Sequence, residues 1–405
     1  MLSRSLAVTL TALVSFALAV PSASSRPADD VIPGAYIVVL HEGADAEEVA
    51  RGHAAAHGAT VDHVYRHALR GYAARMSGAA ARRVASDARV RSVTPDRVVR
   101  ASAQTLPTGI DRVDAEASST QAGNGSGSVG VDVAVLDSGI DTKHRDLNVV
   151  GGKNCSTGKS YADGNGHGTH VAGTIAAKDD ANGVVGVAPG ARLWAVRVLN
   201  NSGSGSWSSV ICGVDWVTAN KGTIEVANMS LGGSGSEPAA TGCSTGDALH
   251  DAICRSVAAG VTYVVAAGNE SKDSKNAVPA AYDEVITVSA LADFDGKPGG
   301  LAAPTCRTDE DDTFGSFSNF GADVDLIAPG VCILSTWKGG GYDTISGTSM
   351  ASPHVAGGAA LYKAANPGAS PAQVQTALVA AGGTDWNNTD DRDAIKEPLL
   401  NVSSF

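Results

Sequence analysis

The sequence predicts an α/β protein: a parallel, doubly wound sheet flanked by helices, preceded by a small α+β unit. Three observations carry this. From Val131 onward, short apolar β-rich runs alternate with helical patterns, as a parallel sheet requires when each crossover is a helix. Residues 33–100 form a separate run of short strands and helices. The chemically suggestive residues fall at strand ends and helix starts, where such folds place ligands. A chain of 405 residues with 48 glycines has room for one large domain and a small one, with many tight turns.

Residues 1–23 read as a secretory signal: Arg4 gives a positive start, Leu6 to Val20 an apolar core, and Pro21-Ser22-Ala23 small residues for cleavage. That core is shorter than the ~20 residues a spanning helix needs, and no later segment is long and apolar enough. A soluble, secreted protein without a membrane partner is expected. In the small unit the strands are Ala35–Leu40, His63–Tyr65, Gly71–Met76 and Val90–Val99, and the helices Ala46–His57 and Ala79–Ser86. In the large unit Val131–Leu136 is a near-continuous apolar strand, followed by helix His167–Ala177, strand Leu193–Leu199 and helix Ser208–Asn220. Strand Val226–Leu231, helix Thr245–Ala259 and strands Val261–Ala267 and Val285–Ala290 come next. Helices Ser349–Asn366 and Pro371–Ala381 close the chain.

The net charge of −12 is uneven, +3 over residues 1–103 and −15 over 104–405. An acidic body argues against nucleic-acid binding. Six cysteines, an even count beyond a secretory signal, point to disulfides. Six allow 15 connectivities, of which the sequential pairing 155–212, 243–254 and 306–332 closes local loops. No C-x-x-C occurs, which disfavours a zinc ribbon. The acidic run Asp309–Asp312 reads as a solvated loop.

Ser349 stands in G-T-S-M-A-S-P-H-V-A-G, His167 in N-G-H-G-T-H-V-A-G and Asp137 in V-A-V-L-D-S-G-I-D. A serine hydroxyl needs a base to take its proton and a carboxylate to orient that base, and all three types occur beside small residues that let a substrate backbone approach. Pro353 is expected in the first helical turn, where a missing N–H costs little. A lipase elbow, G-x-S-x-G, fails at Ala351, which disfavours an esterase. His167 and His170 lie three apart with no glutamate between them, so H-E-x-x-H zinc chemistry is absent. Asp137 ends an apolar strand, where a carboxylate needs a partner. Asp141 reads as a turn residue and His170 as structural. Asn269 ends V-V-A-A-G-N. N-x-S/T triplets at Asn228 and Asn269 lie inside these motifs, where a sugar would not fit.

These motifs, in the order Asp, His, Ser, resemble the subtilisin-like serine proteases, of the subtilisin and proteinase K kind. The resemblance runs from about Gln104 to the C-terminus, and residues 33–102 resemble the inhibitor-type propeptide of that family. It implies a secreted serine endopeptidase with nucleophile Ser349, base His167, orienting Asp137 and oxyanion donor Asn269. It implies extended polypeptide substrates pairing with Gly203-Ser204-Gly205 and Ser230-Leu231-Gly232, and a P1 pocket lined by Ala266, Ala267 and Gly268. The small walls and lack of visible charge imply an apolar or aromatic P1. The propeptide would act as folding chaperone and inhibitor of its own monomeric enzyme until cut near Ser102–Ala103. No organic cofactor is implied. A structural Ca²⁺ is implied, on Gln104, Asp146 and Asp180 with the carbonyls of Lys178, Asn182 and Val184. Asp325, with carbonyls near Asp283 and Val285, is a weaker second candidate. The rivals are an inactive binding protein on the same fold and an esterase.

Overall fold

The computed structural model describes residues 31–97, 104–389, 391–393 and 395–405. The signal segment and the expected cut at Ser102–Ala103 lie outside these residues. The chain divides into two compact units near residue 101.

The first unit runs β1 (Val31–Leu40), α1 (Ala46–His57), β2 (Thr60–Tyr65), β3 (Gly71–Arg75), α2 (Gly78–Val84) and β4 (Val90–Arg97). Its sheet has the order β2-β3-β1-β4, and all its pairings are antiparallel. α1 starts where Asp45 accepts the Glu47 and Glu48 N–H groups and stops at left-handed Gly58. Val38, Tyr72, Val49 and Val84 fill the space between helices and sheet.

The second unit opens with α3 (Thr108–Arg112), β5 (Asp132–Asp137), β6 (Val149–Asn154), α4 (His167–Ala176), β7 (Arg192–Arg197), α5 (Trp207–Ala219) and β8 (Val226–Met229). It continues through β9 (Gly233–Ser234), α6 (Ala248–Ala258), β10 (Thr262–Ala266), β11 (Ala277–Val278), β12 (Ile286–Ala292), β13 (Thr313–Phe314) and β14 (Leu326–Pro329). The hairpin β15 (Ile333–Trp337) and β16 (Gly341–Ile345), then α7 (Thr348–Ala365) and α8 (Pro371–Ala381), complete it.

The main sheet runs β6-β7-β5-β8-β10-β12-β14 in parallel, with β13 antiparallel on β12. β5 shows why its sequence is apolar throughout. Val133 and Val135 pack into the core with α4 and α7, whereas Ala134 and Leu136 pack into the opposite core with α5 and α6. Strand order reverses between β5 and β8, so a crevice opens beyond their C-terminal ends. Among the described residues, no helix is long and apolar enough to cross a membrane.

The cysteines pair as Cys155–Cys212, Cys243–Cys254 and Cys306–Cys332, with Cα separations of 5.9, 5.2 and 5.8 Å. Two expectations need correction. In the acidic run Asp309, Asp311 and Asp312 are buried, and only Glu310 is exposed. Asp309 accepts Ser316 N–H, Asp311 accepts Phe294 and Ala302 N–H, and Asp312 accepts Gly299 and Gly300 N–H. Local backbone donors replace the water that a charged run normally seeks. Pro353 lies inside α7 rather than in its first turn, with consequences for the site.

Candidate active site

β5 delivers Asp137, fully buried, to the crevice, and α4 begins at His167 beside it. The approach depends on Gly168: a Cβ there would lie 2.2 Å from Gly139 O and 3.0 Å from Asp137 Cβ. His167 Nδ1 lies 2.9 Å from each oxygen of Asp137. Asp137 Oδ1 also accepts the Ser138 N–H at 2.6 Å. The imidazole is thus fixed by Nδ1, leaving Nε2 free for proton transfer. Burial pulls the His167 pKa down, but the charge and hydrogen bond of Asp137, with help from Asp163, outweigh it and hold the pKa above the ordinary value.

Ser349 occupies the second position of α7 and borders the same crevice as His167. Its Oγ donates to the Ser230 carbonyl at 3.3 Å rather than to His167; such contacts often tighten only with substrate bound. Pro353 cannot supply the N–H that would bond to the Ser349 carbonyl four residues back. Ser230 Oγ donates to that carbonyl instead, at 2.8 Å, and ties the start of α7 to the end of β8. Asn269 follows β10. Its Oδ1 accepts the Thr348 N–H at 2.8 Å and the Thr348 hydroxyl at 3.1 Å, which fixes the amide so that Nδ2 remains available to a ligand.

The crevice is continuous with two stretches of cleft. Gly203, Ser204, Gly205, Ser230, Leu231 and Gly232 border one. Ala266, Ala267, Gly268 and Asn269 border the other, across from Gly233–Ser236. The three motifs and the predicted substrate edges therefore meet in one place.

Residues 128–394 match the model of the subtilase family, and residues 35–102 match that of peptidase inhibitor I9. Subtilisin DY of Bacillus licheniformis is 41% identical over 307 residues, spanning 75% of this chain and 99% of that protein. The alkaline protease of Shouchella clausii is 43% identical over 293 residues, spanning 72% of this chain and 68% of that protein. A solved cold-adapted subtilisin-like serine proteinase superposes with a TM-score of 0.58 at 37% identity, covering 73% of this chain and 97% of its own.

The chain belongs to the subtilase family. It is a subtilisin-like serine protease carrying an inhibitor-type propeptide domain.

Sequence reasoning missed three residues that build this subtilase's site. Asp163, four residues before His167, accepts from Ser138 Oγ, from the N–H groups of Asn165, Gly166 and Thr169, and from Thr169 Oγ1. It fastens the start of α4 to the turn after Asp137; the D-G-N-G-H run was its only sequence signal. Thr348 orients Asn269 and also accepts the Gly268 N–H. Glu270 borders the pocket beside Lys272 and Asp273, charge that the small-residue motif did not reveal. Glu270 Oε2 accepts from Asn269 N and Asn319 Nδ2. His170 and Asp141 behave as expected. His170 is buried, bonds through Nε2 to Ile333 O, and burial pushes its pKa down to about 3. Asp141 accepts backbone N–H groups from Lys143, Gly339 and Gly340.

The loop after α4 has the donor set of a cation cage. The carbonyls of Lys178, Asn182 and Val184 converge on the side-chain amide of Gln104, whose Nε2 lies 2.7, 3.4 and 3.2 Å from them. Gln104 Oε1 and Asp146 Oδ1 are buried without partners. Turning the amide over would present Oε1 to the point where the three carbonyls meet. Exposed Asp180 uses Oδ1 to accept Asn182 N–H and keeps its second oxygen. Asp325 differs, because both its oxygens have partners, Thr287 N and Gln375 Nε2.

Proposed function

We propose that this subtilase is a secreted endopeptidase, made as a pre-pro-protein, that cuts itself free of its propeptide and then hydrolyses extended polypeptides. Ser349 Oγ attacks the scissile carbonyl while His167 Nε2 takes its proton. Asp137 holds the imidazole by Nδ1 and stabilises the imidazolium. The oxyanion is met by Asn269 Nδ2 and the Ser349 N–H at the start of α7. His167 then returns the proton to the leaving amine, and a water deprotonated by His167 hydrolyses the acyl-enzyme. The observation that carries this reading is the double 2.9 Å contact of His167 Nδ1 with Asp137, on a ring that shares its crevice with Ser349.

Substrate would lie as an added strand between Gly203–Gly205 and Ser230–Gly232. The walls of Ala266, Ala267 and Gly268 favour an apolar or aromatic P1 side chain, with Glu270 and Lys272 at the border. Gln104, Asp146, Asp180 and the carbonyls of Lys178, Asn182 and Val184 would hold a Ca²⁺. Six oxygens suit that ion, and it would supply a structural cross-link, not chemistry. The propeptide domain would template folding and then block the crevice.

Intact masses of the secreted wild type and Ser349→Ala test this. The wild type should lose the propeptide near residue 102, and the variant should keep it covalently joined. Equal processing of both would mean that another protease makes the cut.

A further inference from the structure

Glu237, His250 and Glu284 meet outside the catalytic machinery, and none of them lines the cleft. His250 lies in the first turn of α6, inside the loop closed by Cys243–Cys254, and is 1% exposed. Its Nε2 lies 3.3 Å from Glu237 Oε1 and 3.3 Å from Glu284 Oε2. Neither approach is a hydrogen bond: Nε2, Glu237 Oε2 and Glu284 Oε2 are all buried without partners. The other ring nitrogen, Nδ1, faces Thr245 Oγ1 at 3.4 Å and Asp251 Oδ1 at 3.6 Å. The Tyr282 ring stands edge-on to the imidazole, with centroids 5.0 Å apart.

We infer that these three residues form a binding site for a first-row divalent metal ion of the Zn²⁺ type. With its proton on Nδ1, directed at Thr245 and Asp251, the ring aims the Nε2 lone pair between two carboxylates. That arrangement is repulsive unless a cation lies there. Two ligand atoms bound at ~2.0–2.2 Å to a tetrahedral ion are ~3.3–3.5 Å apart, which is the observed spacing. The three ligand atoms all lie within 4.8 Å of one another. One imidazole with two carboxylates selects zinc-type ions over calcium, which takes oxygen ligands. A hydroxyl and a carboxylate behind the other ring nitrogen are the usual outer shell of a metal-bound histidine. The rival is a bare imidazolium shared by two carboxylates. Among the described residues, no lysine or arginine pairs with Glu237 or Glu284, and Arg255 meets Asp251, the Cys243 carbonyl and Ser244 Oγ instead, so one imidazolium would face more negative charge than it neutralises. The glutamate side chains are 34% and 24% exposed, which leaves an entry path and a fourth coordination position.

The site also has a place in the cleft. Glu237 directly follows Gly233–Ser236, which line the pocket, and β9 in that segment pairs with β11, upstream of Glu284. An ion there would pin both backbones that form this wall.

The test uses the full chain carrying Ser349→Ala, stripped with chelator, resaturated with Ca²⁺ and titrated with Co²⁺. We expect one equivalent to bind with the intense visible bands of a four-coordinate centre, displaced by Zn²⁺. Glu237→Gln, on an exposed loop, and His250→Asn should each weaken binding by more than the ~10–100-fold that loss of an outer-shell partner costs. Absence of the bands, or bands unchanged in Glu237→Gln, would overturn the assignment.

Discussion

His167 and His250 both lie against carboxylates near the start of a helix, but through opposite nitrogens. At His167 a single aspartate holds Nδ1, and Nε2 is left for the cleft. At His250 a hydroxyl and an aspartate lie behind Nδ1, and two glutamates converge on Nε2. One carboxylate behind the ring suits a base; two in front of it suit a cation. His170 and His354 are a third kind. Each is fully buried against a backbone carbonyl, and burial pushes their pKa values down to about 3 and about 4, so they remain neutral packing groups.

The sharpest way to break the His167 half of the comparison is to remove what its base serves. Ser349→Ala should lower kcat on a peptide amide by about 10⁶-fold, the scale known for loss of a subtilisin nucleophile. Asp137→Asn should cost about 10⁴-fold, with a diagnostic shift in pH dependence. His167 must be neutral to act as base, so wild-type activity falls as pH drops through a pKa held above the ordinary ~6.5. With the Asp137 charge gone, only Asp163 is left to oppose burial, and the acidic limb of the kcat/KM profile should move to lower pH. A limb that stays in place would mean that Asp137 does not set the proton affinity of His167.

Buried carboxylates need not imply a metal, and Arg112 shows the alternative. It is 5% exposed and meets buried Asp293 at 3.1 Å and buried Asp312 at 2.9 Å, with exposed Asp385 at 3.3 Å. Here the chain supplies the cation that the His250 cluster lacks. Arg112→Met would leave those carboxylates uncompensated and should destabilise the protein by about 3–5 kcal/mol in denaturant unfolding of the Ser349→Ala chain. Asn269→Ala acts at the transition state instead. It should lower kcat by about 10²–10³-fold with KM little changed.

What could be read in the sequence follows from how local each signal is. α1 was legible to the residue because Asp45 and Gly58 bracket an apolar stripe, and Pro371 marked the start of α8. β6 was not, because Gly151 and Gly152 interrupt its apolar pattern. They are required by close neighbours: a Cβ on Gly151 would lie 2.5 Å from the Trp194 ring, and one on Gly152 2.2 Å from Ala195 O. The predicted helix Thr245–Ala259 began too early, because Thr245 and Asp247 cap α6 rather than join it. Asp137, His167, Ser349 and Asn269 each carry a small-residue motif, so the crevice was legible from resemblance. Glu237, His250 and Glu284 lie on three separate segments with no motif, and only the fold brings them together. The burial of Asp309, Asp311 and Asp312 was hidden because the backbone N–H groups they accept carry no side-chain signal in the sequence.

The gentlest test separates a cage of oxygens from a cage containing nitrogen. The Gln104 loop offers carbonyls and carboxylates, so calcium should matter there and cobalt should not. Without an ion, Gln104 Nε2 serves the three carbonyls, but its Oε1 and Asp146 Oδ1 stay buried and unpartnered. Each such orphan costs ~1–3 kcal/mol. Chelation of calcium should therefore shorten the half-life of the processed enzyme at elevated temperature without lowering its initial rate. Asp146→Asn should start with the shorter half-life and respond less to chelator. Its Oδ2 role, accepting Val184 N–H and Tyr342 OH, can pass to the amide oxygen, so the fold should survive the change. A chelator response as large in Asp146→Asn as in the wild type would place the stabilising calcium somewhere other than the Gln104 loop.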